Sequence, residues 1–170
     1  MRNASRNLAH GAIIAALYLV LTHFQNILLP GSATWAIQMR LSEALCILAF
    51  FTPAAIPGLS VGCLLFNLTY AAALPLDFFV GCLATCLAAQ AMWLSRNLTW
   101  KGVPILGLAM PALSNAILVG WELSVYIGGS FRLNALYVAL GELAVLYTLG
   151  LALYWAMKSR KLDLRLFGNS

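Results

Sequence analysis

The feature that most constrains this chain is a succession of apolar runs, each near the length that crosses a lipid bilayer, with very few charges inside them. The first extends from Leu8 to about Leu29, and comparable runs recur as far as Met157. A bilayer-spanning helix needs about 20 such residues, because it rises about 1.5 Å per residue across a hydrocarbon core about 30 Å thick. Lipid offers the backbone no hydrogen bonds, so only helices and closed barrels satisfy it there. No segment alternates polar and apolar residues as a barrel strand does, which leaves helices. The composition points the same way. Hydrophobic residues make up 62% and charged residues 9%, where a soluble domain carries about 25% charged residues. So few charges cannot cover a water-facing surface, and soluble enzymes, nucleic-acid binders and disordered scaffolds are set aside on that ground.

The expected fold is all-α: one domain over residues 1–170, an integral membrane bundle of six transmembrane helices. The runs place them at about 8–28, 41–56, 58–74, 76–95, 104–127 and 133–157. Prolines mark ends or kinks: Pro30 after the first helix, Pro53 and Pro57 at the end of the second, Pro75 before the fourth and Pro111 in the fifth. The first run is long for a signal peptide, and no small-x-small cleavage site follows it closely, so it reads as a retained span. Six spans put both termini on one side. That side collects Arg2, Arg6, Arg96, Lys101, Lys158, Arg160, Lys161 and Arg165, and the other holds Arg40 and Arg132. Basic loops face the cytoplasm, so both termini are expected there. The same clustering accounts for the net charge of +5 without a nucleic-acid surface, which needs a basic stripe on one folded face.

Cys46, Cys63, Cys82 and Cys86 lie inside apolar runs and read as small packing residues. His10 and His23 stand far from them, at no zinc-ligand spacing. The chain has no GxxxxGK[ST] loop, no HExxH and no GxSxG. ATP, if it drives anything here, is used by another chain.

Against this apolar background the polar residues are informative. A charge near the bilayer centre costs about 2.5–3.5 kcal/mol on insertion scales, so it usually faces the bundle interior and carries function. Glu43, Asp77, Glu122 and Glu142 all fall in the outer halves or outer ends of their helices. Glu142 is the deepest, with no basic residue three or four positions away. Asn115 and Glu122 are seven apart and share a helix face. Tyr126 extends that stripe, and Trp121 stands beside it. Arg40 and Glu43 are three apart: they either pair locally at a helix start or face a solute. Asp77 follows Pro75, where a first-turn anion suits the helix dipole. His23, Gln25, Asn26, Gln38, Asn67, Arg132 and Asn134 share the outer half. Such a distribution implies an outward-opening polar pocket for a small solute. Trp35, Phe66, Trp121, Tyr126, Phe131 and Tyr137 offer flat surfaces for an aromatic ring, or an interfacial belt. Small residues four apart, Gly11 and Ala15, Ala12 and Ala16, Gly58 and Gly62, allow close helix approach.

Three stretches resemble the QueT family: QMRLSEALCILAFFTPAAIPGLSVGCLLFNL (Gln38–Leu68), DFFVGCLATCLAA (Asp77–Ala89) and LNALYVALGELAVLYTLG (Leu133–Gly150). The RxSEAL, PAAIPG and ALGE segments carry the resemblance, which runs over nearly the whole chain. The family is similar to the substrate-binding S components of energy-coupling factor (ECF) transporters. The resemblance implies six helices with both termini inside. It implies uptake of a queuosine precursor, a 7-deazaguanine such as preQ1, preQ0 or queuine. It also implies partners, a transmembrane coupling subunit and two ATPase subunits. Ala12 and Ala16 match the AxxxA motif that docks S components on the coupling subunit. The expectation is then a multi-pass cell-membrane subunit that binds substrate, is not an enzyme and holds no cofactor of its own. Its site residues are drawn from Glu122, Glu142, Glu43, Arg40, Asn115, Asn67, Trp121, Tyr126 and Asn134. A carboxylate accepts the ring N–H and exocyclic amine of a 7-deazaguanine together, and a second one neutralises an aminomethyl group. The competing readings are an S component for another solute, a vitamin or purine, and a membrane enzyme or assembly factor.

Overall fold

The computed structural model describes residues 2–30, 32, 39–71 and 73–168, so Trp35 and Gln38 lie outside the described residues. The helices are α1 (Arg2–Leu28), a 3-10 helix (Leu41–Phe50), α2 (Ala55–Thr69), α3 (Asp77–Ser95), α4 (Ile105–Leu108), α5 (Met110–Tyr126), α6 (Phe131–Val145), a π turn (Leu146–Gly150), α7 (Leu151–Ser159) and α8 (Leu162–Phe167). Among the described residues there is no strand, only an isolated bridge between Trp100 and Val103. Four helical stretches are long and apolar enough to cross a membrane: Ala4–Leu28, Asp77–Ser95, Ile105–Tyr126 and Phe131–Ser159. The 3-10 helix and α2 are apolar but shorter.

α1 packs on α2, α2 on α3, α3 on α5 and α5 on α6, and the 3-10 helix plugs the middle, touching α1, α2, α3, α6, the π turn and α7. The plug explains its own sequence. LSEALCILAF is buried at Ser42, Glu43, Ala44 and every position from Cys46 to Phe50, as a segment surrounded by helices must be. A 3-10 helix rises about 2.0 Å per residue and aligns side chains three apart. Ten residues then reach about 20 Å, and Arg40, Glu43, Cys46 and Ala49 fall in one row. The outer surface is the reverse of a soluble protein's. Leu113, Ile117, Trp121 and Val125, four apart on α5, are exposed, as are Leu8, Ile13, Val20, Phe24 and Ile27 on α1. Lipid accepts such a surface without cost.

The break between the second and third helices differs from the expectation. It falls at residues 51–54 instead of near 57. The Thr52 hydroxyl accepts the Ala54 N–H at 3.3 Å and the Thr52 carbonyl accepts the Ala55 N–H, also at 3.3 Å. Pro57 sits in the first turn of α2, where its missing donor costs nothing. α2 also stops at Thr69 rather than 74, because Tyr70 is extended (φ −92°, ψ 110°). The last long helix carries the π turn. Glu142, Leu146, Gly150 and Tyr154 are all buried at fourfold spacing. An ideal helix drifts about 40° over each such step, and the extra residue of a π turn counters that drift. The row therefore stays against the 3-10 helix, where Gly150 meets Ile47.

Candidate functional site

The four acidic residues of the spans converge at one end of the bundle. Asp77 begins α3 and Glu43 lies in the first turn of the 3-10 helix, while Glu122 comes from the end of α5 and Glu142 from α6, opposite Asn115. Glu43, Glu122 and Glu142 are 0% exposed, Asp77 3%, and the one basic residue among them, Arg40, 2%. None therefore faces lipid or bulk water. Arg40 stands within electrostatic reach of Tyr18, Cys63, Asp77 and Glu43. Its guanidinium lies 3.7 Å from Cys63 Sγ and 6.0 Å from the centre of the Phe66 ring. Glu142 lies within reach of Glu43 and Arg40, and Glu122 stands beside Asp77. Four carboxyl groups thus surround one guanidinium, so the cluster is rich in hydrogen-bond acceptors.

Hydrogen bonding divides the carboxyl groups into two kinds. Glu43 is held at both oxygens: Tyr18 Oη donates to Oε1 at 2.5 Å and Cys46 Sγ donates to Oε2 at 3.0 Å. Glu142 is held at one, where Asn115 Nδ2 donates to Oε1 at 3.2 Å. The Asp77 Oδ2 atom accepts the Leu74 N–H at 3.0 Å, the local role expected of a first-turn acid. No N–H or hydroxyl donor reaches either oxygen of Glu122, which has the neighbouring Asp77 carboxyl group as its hydrogen-bonding partner, and none reaches Oε2 of Glu142, Oδ1 of Asp77 or Oδ1 of Asn67. Buried polar groups are almost always satisfied, and an unmet one costs about 1–3 kcal/mol. Five such atoms lie in this one neighbourhood, which makes it the candidate site. Among the described residues no three His, Cys, Asp or Glu side chains are grouped to hold a metal ion.

Of the expected site residues, the structure brings together Arg40, Glu43, Asn67, Asn115, Glu122 and Glu142. Asn67 Nδ2 donates to the Asp77 carbonyl at 2.7 Å, and the lack of a side chain at Gly81 makes room for it. A Cβ there would stand 2.7 Å from Asn67 Nδ2 and 3.8 Å from Arg40 Nη1. Three expected residues are not brought in. Trp121 belongs to the exposed lipid-facing row of α5, one residue and about 100° from Glu122. Tyr126 ends α5 and is exposed. Asn134 donates to the Gly128 carbonyl at 3.0 Å and so closes the α5–α6 turn, where Gly128 and Gly129 take positive φ of 91° and 86°. Phe131 and Tyr137 are also exposed, while Phe66 is buried in the cluster. His23 pairs with Thr69 Oγ1 at 3.0 Å.

Sequence reasoning missed Tyr18, Thr85 and the site-facing positions of Cys46 and Cys63. A tyrosine in the apolar α1 and a threonine in α3 carry no local signal, and the 3-10 row that aims Cys46 at Glu43 is invisible when a helix of ordinary pitch is assumed. At the other end of α1, Ala12 and Ala16 are exposed, while Gly11 and Ala15 are buried against α2. An apolar groove beside them is lined by Leu8, Ala12, Ala15, Pro57, Gly58 and Val61.

Compared with known proteins, residues 8–159 match the family model described as QueT transporter. No curated protein and no solved structure matches the chain.

Proposed function

The chain belongs to the QueT transporter family, and from that premise we propose that it is the substrate-binding component of an ECF-type importer for a queuosine precursor, a 7-deazaguanine. The family makes it a multi-pass membrane transport subunit. The finer reading rests above all on Glu122, a fully buried carboxyl group that receives no hydrogen bond from an N–H or hydroxyl donor and stands beside the Asp77 carboxyl group. Its two oxygens can accept the ring N–H and the exocyclic amine that a 7-deazaguanine presents side by side. The free oxygen of Glu142 then meets a cationic aminomethyl substituent, and Phe66 offers an aromatic surface. Asn67 Oδ1 and Thr85 supply further acceptors. In this reading Trp121, Tyr126 and Asn134 do not touch the solute.

The other elements follow from the same proposal. Both termini lie in the cytoplasm, where Arg6, Arg96, Lys101, Lys158, Arg160, Lys161 and Arg165 gather. Arg40 is buried in the interior, so it drops out of the loop charges, and the asymmetry expected from sequence sharpens. The exposed Ala12 and Ala16 dock on a transmembrane coupling subunit, and two ATPase subunits supply the energy.

Calorimetry on the purified chain with preQ1, preQ0, queuine, guanine and vitamins as competing solutes tests the assignment. Glu122→Gln keeps the volume but sets a donor against a donor. A hydrogen bond to a charged group is worth about 1.5–3 kcal/mol, so preQ1 affinity should fall about tenfold to a hundredfold. Unchanged affinity in both Glu122→Gln and Glu142→Gln, with folding intact, would place the site elsewhere.

A further inference from the structure

α1 has a second face besides the one that carries Ala12 and Ala16. Tyr18, Thr22 and Gln25, spaced four and three apart, form a buried polar row on an otherwise apolar helix. Each contacts the segment that carries Arg40 and Glu43, in strict order. Tyr18 Oη donates to Glu43 Oε1 at 2.5 Å. Thr22 Oγ1 donates to Ser42 Oγ at 2.7 Å. Gln25 Oε1 accepts the Leu41 N–H at 2.7 Å, and its Nε2 donates to the Met39 carbonyl at 2.6 Å. Residues 39–43 are thus laid along α1 residue by residue. The row is itself rigid. A Cβ at Gly62 would stand 2.8 Å from both the Tyr18 Cβ and the Ala15 carbonyl oxygen, so α1 and α2 meet at backbone distance and the Tyr18 ring cannot withdraw.

We propose that Tyr18 is a positioning residue of the solute site, acting through the Glu43 carboxylate. The inference rests on the uptake reading above and goes beyond it, since Tyr18 lies in none of the stretches that carried the resemblance. The hydroxyl pins one Glu43 oxygen and Cys46 Sγ pins the other. Each oxygen keeps acceptor capacity toward the cluster, so the carboxylate's charge is held at one place near Arg40 and Glu142. Without the hydroxyl, Glu43 is free to rotate toward Arg40, and the field that Glu122 and Glu142 present to a solute changes. Because α1 also bears Ala12 and Ala16, the anchor of the site and the exposed small-residue face belong to one rigid helix.

The test is a double-mutant cycle read by calorimetry with preQ1. Tyr18→Phe retains the ring and its packing, so the fold is kept and a melting curve confirms it. The expected result is an affinity about tenfold weaker in Tyr18→Phe than in the wild-type chain. In a Glu43→Leu background, which lacks the acceptor but fills the volume, the same substitution should change affinity less than twofold; Glu43→Gln serves as a second background. A purely structural tyrosine would produce the same loss in both backgrounds, and that result overturns the proposal. So does unchanged affinity in Tyr18→Phe alone. A wild-type chain that binds no preQ1 overturns the uptake reading and this inference with it, whereas binding without a Tyr18 effect overturns this inference alone.

Discussion

The two ends of the bundle are built on opposite principles. At the end that holds α8 and most of the basic residues, Ile14, Ile47, Leu48, Phe50, Leu59, Met92, Leu108, Tyr154 and Met157 form one continuous apolar core with the aromatic contacts of Phe50 and Phe51 on Tyr154. At the other end the continuous core shrinks to Val80, Ala84, Val119, Leu123 and Val138, and the space between helices goes to Arg40, four carboxyl groups and two asparagines. The same helices run through both ends, so the contrast comes from side chains and not from architecture. Dense apolar packing sets a shape that cannot change cheaply. Buried acids that are only partly hydrogen-bonded weaken the fold locally. The comparison teaches that one end stabilises the frame while the other holds polar groups at a local cost in stability.

The largest expected effect tests the apolar end. Met92 is fully buried, 15 residues along α3 from Asp77. Met92→Ala should lower unfolding stability by about 2–5 kcal/mol. Affinity should be unchanged, as compared by thermal melting and calorimetry in the same detergent. At the acidic end the sign reverses. The Glu122→Gln substitution that weakens binding removes one of two carboxyl groups crowded together at Glu122 and Asp77, so the empty protein should melt higher. A lower melting point would show that Glu122 holds the fold together and is not a recognition group.

The exposed face of α1 should move neither quantity. Ala12→Leu combined with Ala16→Leu places bulk on an exposed surface, where stability changes stay within about 0.5 kcal/mol. Solute affinity should also hold, while uptake in cells is lost because bulky groups prevent close helix approach. Normal uptake by the double variant would remove α1 as the docking face.

The smallest effect lies beyond the last span. Lys158 Nζ donates to Asp163 Oδ2 at 2.8 Å. Partial burial works to raise the Asp163 pKa, but the Lys158 hydrogen bond and the Leu164 N–H outweigh it and hold the group below the usual carboxylate range. A lowered folded-state pKa means that this stabilisation is complete above the unfolded value and is lost as pH falls through the folded one. The pair is partly exposed, so Lys158→Ala should cost no more than about 0.5–1 kcal/mol near neutral pH and nothing in strong acid. A cost that grows as pH falls would contradict this assignment.

Much of the site was legible because a membrane makes polar residues conspicuous. Glu122 and Glu142 stood out as acids without a local base, Asn115 by its seven-residue spacing from Glu122, and Asn67 by its place at an outer helix end. On α5 the structure turns Trp121 and Tyr126 outward, away from Glu122. Neighbouring positions on a helix point about 100° apart, and the chain alone does not tell which aromatic residues face lipid. The local alternatives for Arg40, Glu43 and Asp77 were left open for the same reason: a charge at a helix start has a local use and a distant one. The structure places Asp77 in both, bonded to Leu74 and beside Glu122.

By itself, the sequence determined the solvent this chain folds in and the approximate places of its long apolar helices. Those follow from composition and from run length against bilayer thickness, which need no knowledge of neighbours. Tertiary structure alone decided that Leu41–Phe50 winds as a 3-10 helix and becomes the central plug. It alone decided that Glu43 is held by a tyrosine 25 residues earlier and that Arg40 leaves the loop for the interior. Each of these depends on contacts between segments distant in the chain. Side-chain position in a packed interior is set by whichever neighbours satisfy its hydrogen bonds and fill its volume, and no window of local sequence contains them.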